Sequence, residues 1–82
     1  MTVRKRSITI NRHRTSFSIE QPFYEELTRI AAARGVSLTD IVKGVDEGRG
    51  SEANLSSALR VFVLERLRAE AKGEMPPTAP GT

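Results

Sequence analysis

The stretch RTSFSIEQPFYEELTRIAAARGVSLTDIVKGV, residues 14–45, decides the fold. It opens in period two, with Phe17 and Ile19 on odd positions and Arg14, Ser16 and Ser18 on even ones. Successive side chains of a strand leave opposite faces, so this alternation predicts a half-buried strand. At Pro22 the period changes. Proline suits the first turn of a helix, where its missing N–H is not needed. Phe23, Leu27, Ile30, Ala31 and Arg34 then mark one face of a helix from Gln21–Pro22 to Arg34. Glu25 and Glu26 lie in the first turns, toward the positive dipole end, and Glu25 can pair with Arg29 one turn on. Gly35 stops that helix as a left-handed cap. Ser37-Leu38-Thr39-Asp40 starts another at once. Ser37 is its N-cap, and Asp40 stands where a capping box usually has Glu or Gln. Leu38, Ile41, Val42 and Val45 form its apolar stripe, and Gly44, Gly48 and Gly50 end it by about residue 47.

Upstream, Ile8 and Ile10 alternate on even positions, out of phase with Phe17 and Ile19. One flat strand cannot run through residues 11–14. Either a turn or bulge lies there, or the first stretch is an extended arm. Downstream, a third helix runs from about Leu55 to Lys72, with Ser51 or Asn54 as its N-cap. Leu55, Ala58, Leu59, Phe62, Val63 and Leu67 make a broad apolar face, widened by Val61 and Leu64. A helix apolar over so much of its girth is buried on more than one side. In so short a chain the second side falls to a partner copy. Residues 73–82 hold three prolines and no apolar period, and read as a disordered tail. The chain thus divides into a basic arm with room for an extra strand (1–13), a folded domain (14–72) and that tail.

The charge of +3 is unevenly placed. Residues 1–14 carry Arg4, Lys5, Arg6, Arg12 and Arg14 with no acid, whereas acids outnumber bases in the remainder. Such asymmetry suggests a polyanionic partner at that end. With 82 residues and 5% aromatics, a single chain buries a modest core, and a core shared between two copies would compensate. The absence of cysteine excludes disulfides and thiolate metal sites, and the single His13 excludes a multi-histidine site within one chain. No cofactor or metal is expected. No apolar run approaches membrane-spanning length and no signal-peptide core opens the chain, so a cytoplasmic protein is expected. No nucleophile–histidine pairing or Gly-rich phosphate loop supports an enzyme.

Basic N-terminus, alternating strand, amphipathic helix, Gly-Val-Ser junction and capped second helix together resemble the ribbon-helix-helix family of the Arc and MetJ type. The resemblance covers residues 12–67. It implies a mostly α fold with one short N-terminal β-strand, a third helix, and an intertwined homodimer. It also implies a DNA-binding protein, a transcriptional repressor whose two chains pair their strands into an antiparallel ribbon in the major groove.

On that reading Arg14, Ser16 and Ser18 face the bases, while Phe17, Ile19, Leu27, Ile41, Val42, Leu59 and Phe62 form the dimer core. Arg4, Lys5, Arg6 and Arg12 meet phosphates. Ser37, Leu38 and Thr39 anchor another phosphate through the free N–H groups of the second helix. If residues 5–10 are the groove-reading strand instead, Arg6, Ser7 and Thr9 take that role. The partners are double-stranded DNA and a second copy, with a dimer of dimers on DNA left open. The rivals are an antitoxin that also binds a toxin, and an adaptor dimer whose arm touches an acidic protein.

Overall fold

In a computed structural model, which describes residues 2–49 and 54–73, two strands precede three helices. Strand β1 spans Val3–Ile10 and β2 spans His13–Glu20. Helices α1, α2 and α3 span Gln21–Arg34, Leu38–Gly48 and Leu55–Ala71. The fold is mostly helical with a ribbon and a third helix, as expected. It has two strands rather than one; the added strand is β1, so the ribbon seen is formed within one chain, where the resemblance implied one shared between two.

The phase break upstream of β2 is a tight turn. Asn11 and Arg12 both adopt positive φ, 51° and 70°. Two such residues make the turn whose twist matches that of antiparallel strands. Asparagine tolerates this conformation; arginine there is strained. The register follows from the turn: Ile10 pairs with His13, Thr9 with Arg14, Ser7 with Ser16 and Lys5 with Ser18. One face of the hairpin then carries Ile8, Ile10, Phe17 and Ile19, and the helices pack on it. The two isoleucines that sat out of phase in the sequence are in phase once the chain reverses.

Ile10, Phe17, Ile19, Leu27, Ile30, Ile41, Val42, Leu55, Leu59 and Val63 are buried together in one cluster. Each such side chain contributes about 1.5–3 kcal/mol on burial. Phe17, Ile19, Leu27, Ile41, Val42 and Leu59, read from sequence as a dimer core, are therefore already buried inside one chain; Phe62 is half-buried. The second side of α3 remains open. Val61 and Leu64 are each 51% exposed and Leu67 40%.

The helix ends are chemically specified. Gly35, at φ 70°, closes α1, and its N–H and that of Val36 reach back to carbonyls of the last turn. Ser37 and Asp40 form a complete capping box on α2. Asn54 caps α3, its side-chain oxygen accepting from the Ser57 N–H at 2.7 Å. Ser51, the other candidate, and residues 74–82 of the tail lie outside the described residues. Arg29 does not pair with Glu25. It binds Glu26 one turn back and Glu70 on α3, because α3 brings Glu70 within 3.1 Å. Glu25 instead accepts from Gln21.

Replacing Arg12 with glycine should stabilise the fold by about 0.5–1 kcal/mol. It relieves the left-handed strain, partly offset by unfolded-state entropy. Denaturant titration at constant m-value checks this, and a destabilised Arg12→Gly variant would refute the two-residue turn.

Candidate nucleic-acid interface

The hairpin has two faces of different chemistry. Arg4 and Arg6 share the inward phase of β1 with Ile8 and Ile10, whereas Lys5, Ser7 and Thr9 point the other way. On β2 the outward residues are Arg14, Ser16, Ser18 and Glu20. The two rows face each other across the ribbon. The Ser7 and Ser16 hydroxyl oxygens lie 3.4 Å apart. Pair types alternate from the hydrogen-bonded turn-closing pair Ile10–His13, so Thr9–Arg14 and Ser7–Ser16, one and three steps on, are the non-hydrogen-bonded kind, in which side chains approach most closely. The alternative reading strands of the sequence, 5–10 and 14–19, thus form a single surface. Arg6 is the exception, and lies on the opposite side from Ser7 and Thr9.

Arg6 is committed inward. Its guanidinium carbon sits 3.4 Å from the centroid of the Tyr24 ring, and Nη2 donates to Gln21 at 2.9 Å. Its Nε is buried without a hydrogen-bond partner among the described residues. Tyr24 and Gln21 are on α1, so this stack fixes the hairpin against the helix. Of the four basic residues read as a phosphate-binding arm, Arg4, Lys5 and Arg12 stay exposed, the last at the hairpin tip. Exposed Arg14 flanks the tip on β2. The sequence had no signal for Arg6 turning inward, because a basic residue in a basic run looks like its neighbours.

The acid of the outer face is neutralised. Glu20 accepts from Arg60 of α3 at 2.9 Å. Arg60 also reaches the Ser18 carbonyl, and Ser56 Oγ accepts from the Ser18 N–H at 2.9 Å. Helix α3 therefore covers the outer edge of β2 at Ser18. Arg14 and Ser16, further along, have no such cover among the described residues. No outward side chain from Lys5 to Ser18 is acidic, so the face presents two cations and four hydroxyls.

The start of α2 is the second candidate. Ser37 Oγ accepts from the Asp40 N–H at 3.0 Å, and Asp40 accepts from the Ser37 N–H at 3.2 Å. The capping box occupies the Ser37 amide and oxygen. The Leu38 and Thr39 amides, with the Ser37 hydroxyl proton, remain for an anion. Asp40 opposes that anion at close range, so this site is weaker than the motif alone suggests. Among the described residues no group of three or more potential metal ligands exists, and no helix is long and apolar enough to cross a membrane.

A family profile, described as the ribbon-helix-helix domain, matches residues 3–67. The chain belongs to this family. Its members are in general DNA-binding transcription regulators or antitoxins, and typically not enzymes. A solved structure, that of an uncharacterized protein from Bordetella pertussis Tohama I, is similar with a TM-score of 0.77 and 35% identity. The likeness covers 96% of this chain and 66% of that one, so the chain spans just under two thirds of that protein's length. No curated protein matches the chain.

Three carboxyls are held below the usual carboxylate range. For Glu20 the main cause is the hydrogen bond from Arg60, for Asp40 the Ser37 amide, and for Glu70 Arg66 followed by Arg29. Groups depressed in the folded state stabilise it above their unfolded pKa, and that contribution is lost as pH falls through the folded value. Melting temperature should therefore decline between about pH 5 and about pH 3. Glu20→Gln should flatten part of this decline, and 1 M salt should shrink it, since the groups are exposed. A decline identical in Glu20→Gln and the parent would show that the Arg60 tie contributes nothing.

Proposed function

We propose that this protein is a sequence-specific DNA-binding homodimer that represses transcription by occluding its site. The outer face of its ribbon enters the major groove. The single observation that carries this reading is the outward row of Arg14, Ser16 and Ser18 on a face without a free acid. Arginine contacts guanine in bidentate fashion, and serine donates or accepts to several bases. Arg4 and Arg12 lie off that row and act through phosphates, as do the first amides of α2. Nothing in the constellation supplies catalytic chemistry.

The second copy follows from the apolar side of α3. Phe23, Val61, Leu64 and Leu67, with the Arg60 stem, line a recess of about 340 Å³. Neighbouring recesses extend the band through Phe62 and Val45 to Val36. A continuous apolar strip of this kind marks an association surface on a chain that otherwise covers its core. The antitoxin reading assigns the same strip to a toxin, and the adaptor reading dispenses with DNA.

Light scattering of the pure protein at micromolar concentration should give the mass of two chains, and Leu64→Glu should halve it. A parent mass of one chain would sink the homodimer and favour a different occupant of the strip.

DNA selected from a random library should be a palindrome. Arg14→Ala should weaken binding to it by about 1–3 kcal/mol while affecting random duplex less. Arg4→Ala should weaken both alike and flatten the salt dependence. Equal losses for Arg14→Ala on both duplexes would mean that Arg14 contacts only backbone.

A further inference from the structure

We propose that β1 is a second reading strand, so that Ser7 and Thr9 determine sequence specificity together with Ser16 and Arg14. The inference rests on the DNA-binding reading above and adds to it the two residues of β1. The register places Ser7 directly across from Ser16, and Thr9 directly across from Arg14. All four side chains leave the same face, and all four are exposed.

The strand beside β2 on this face is β1 of the same chain. The far edge of β2 is occupied at Ser18 by Ser56 and Arg60 of α3. A two-stranded unit is thus complete within one chain. Strands about 4.8 Å apart, with side chains projecting from both, fit a groove about 12 Å wide.

The chemistry of the added residues suits base edges. Each hydroxyl donates or accepts, and the threonine methyl can also meet a thymine methyl. Ser7 and Ser16, 3.4 Å apart, act as one hydroxyl pair. Residues i and i+2 of a strand are separated by about 6.8 Å, close to two base-pair steps of about 3.4 Å. The ribbon therefore reads in rows. The Ser7–Ser16 row addresses one position, and the Thr9–Arg14 row addresses another about two base pairs away.

The test is selection from a random duplex library with the full chain and with Ser7→Ala, Ser16→Ala, Thr9→Val, Thr9→Ser and Arg14→Ala. Thermal melts of each variant confirm folding. Ser7→Ala should relax the same base position as Ser16→Ala. Thr9→Val should relax the position relaxed by Arg14→Ala, about two base pairs away. Each β1 variant should lower the ratio of site to random affinity about fivefold. Thr9→Ser, which keeps the hydroxyl, should restore most of that ratio. If Arg14→Ala relaxes a position while Ser7→Ala and Thr9→Val leave every position unchanged, DNA reading stands and the β1 proposal is overturned. A parent chain that enriches no sequence overturns both.

Discussion

The two left-handed residues at Asn11–Arg12 govern the rest of the molecule. A two-residue turn permits a single register, and a slip of one residue would move every side chain to the wrong face. With this register, Ile8 and Ile10 join Phe17 and Ile19 over the helices, and Arg14 lines up with Thr9. The cost is one arginine in a conformation that glycine would hold more easily. On the proposed DNA-binding reading, an arginine at the tip keeps a cation on the hairpin that would meet the polyanion, which a glycine there would remove.

Helix α3 turns this hairpin into part of a domain. A lone two-stranded hairpin is marginal in water, and needs a helix or further strands to hold it. Here Leu55, Leu59 and Val63 bury against the cluster that contains Phe17 and Ile19. The polar side of the same helix then meets the strand edge, with Ser56 and Arg60 satisfying the Ser18 backbone. One helix thus supplies the apolar cover of the inner face and the hydrogen bonds of an exposed edge. Its third side, bearing Val61, Leu64 and Leu67, is left with neither task.

Much of this was legible in the sequence because periodicity records burial. The bounds of α1, the glycine stop, the capping box at Ser37 and the start of α3 could be read from single residues whose chemistry allows few roles. The hairpin was legible only in part. Two alternating runs with a phase break fit a turn, a bulge or an arm equally well, and Asn-Arg lacks the glycine that usually announces a two-residue turn. The inward course of Arg6 was not legible at all. Nothing local in Arg4-Lys5-Arg6 distinguishes the residue that stacks on Tyr24 from those that meet solvent; only the pairing of Arg6 opposite Phe17 does. The share of one chain and of a second copy in covering the apolar residues was not legible for a related reason. Apolar period reports that a side is covered, and is silent on which chain covers it.

The position of Arg6 also bears on how the face can work. A reading surface must be held rigidly, because a base contact misplaced by about an ångström loses its geometry. The outward residues sit on a hairpin that is pinned at two places, one on its inner face and one along the edge of β2. Near the middle, Arg6 stacks on Tyr24 and bonds Gln21, both from α1. Near the helix end, Ser18 and Glu20 are tied to Ser56 and Arg60 from α3. Beyond Ser16 the ribbon runs to its tip with fewer ties, although Ile10 remains buried beneath it. The tip half, with Arg12, His13 and Arg14, has more freedom to adjust to a groove than the anchored half. On the DNA-binding reading proposed above, Ser16 and Ser18 would make the more rigid contacts and Arg14 the more adaptable one, because the hairpin is fastened at its helix end.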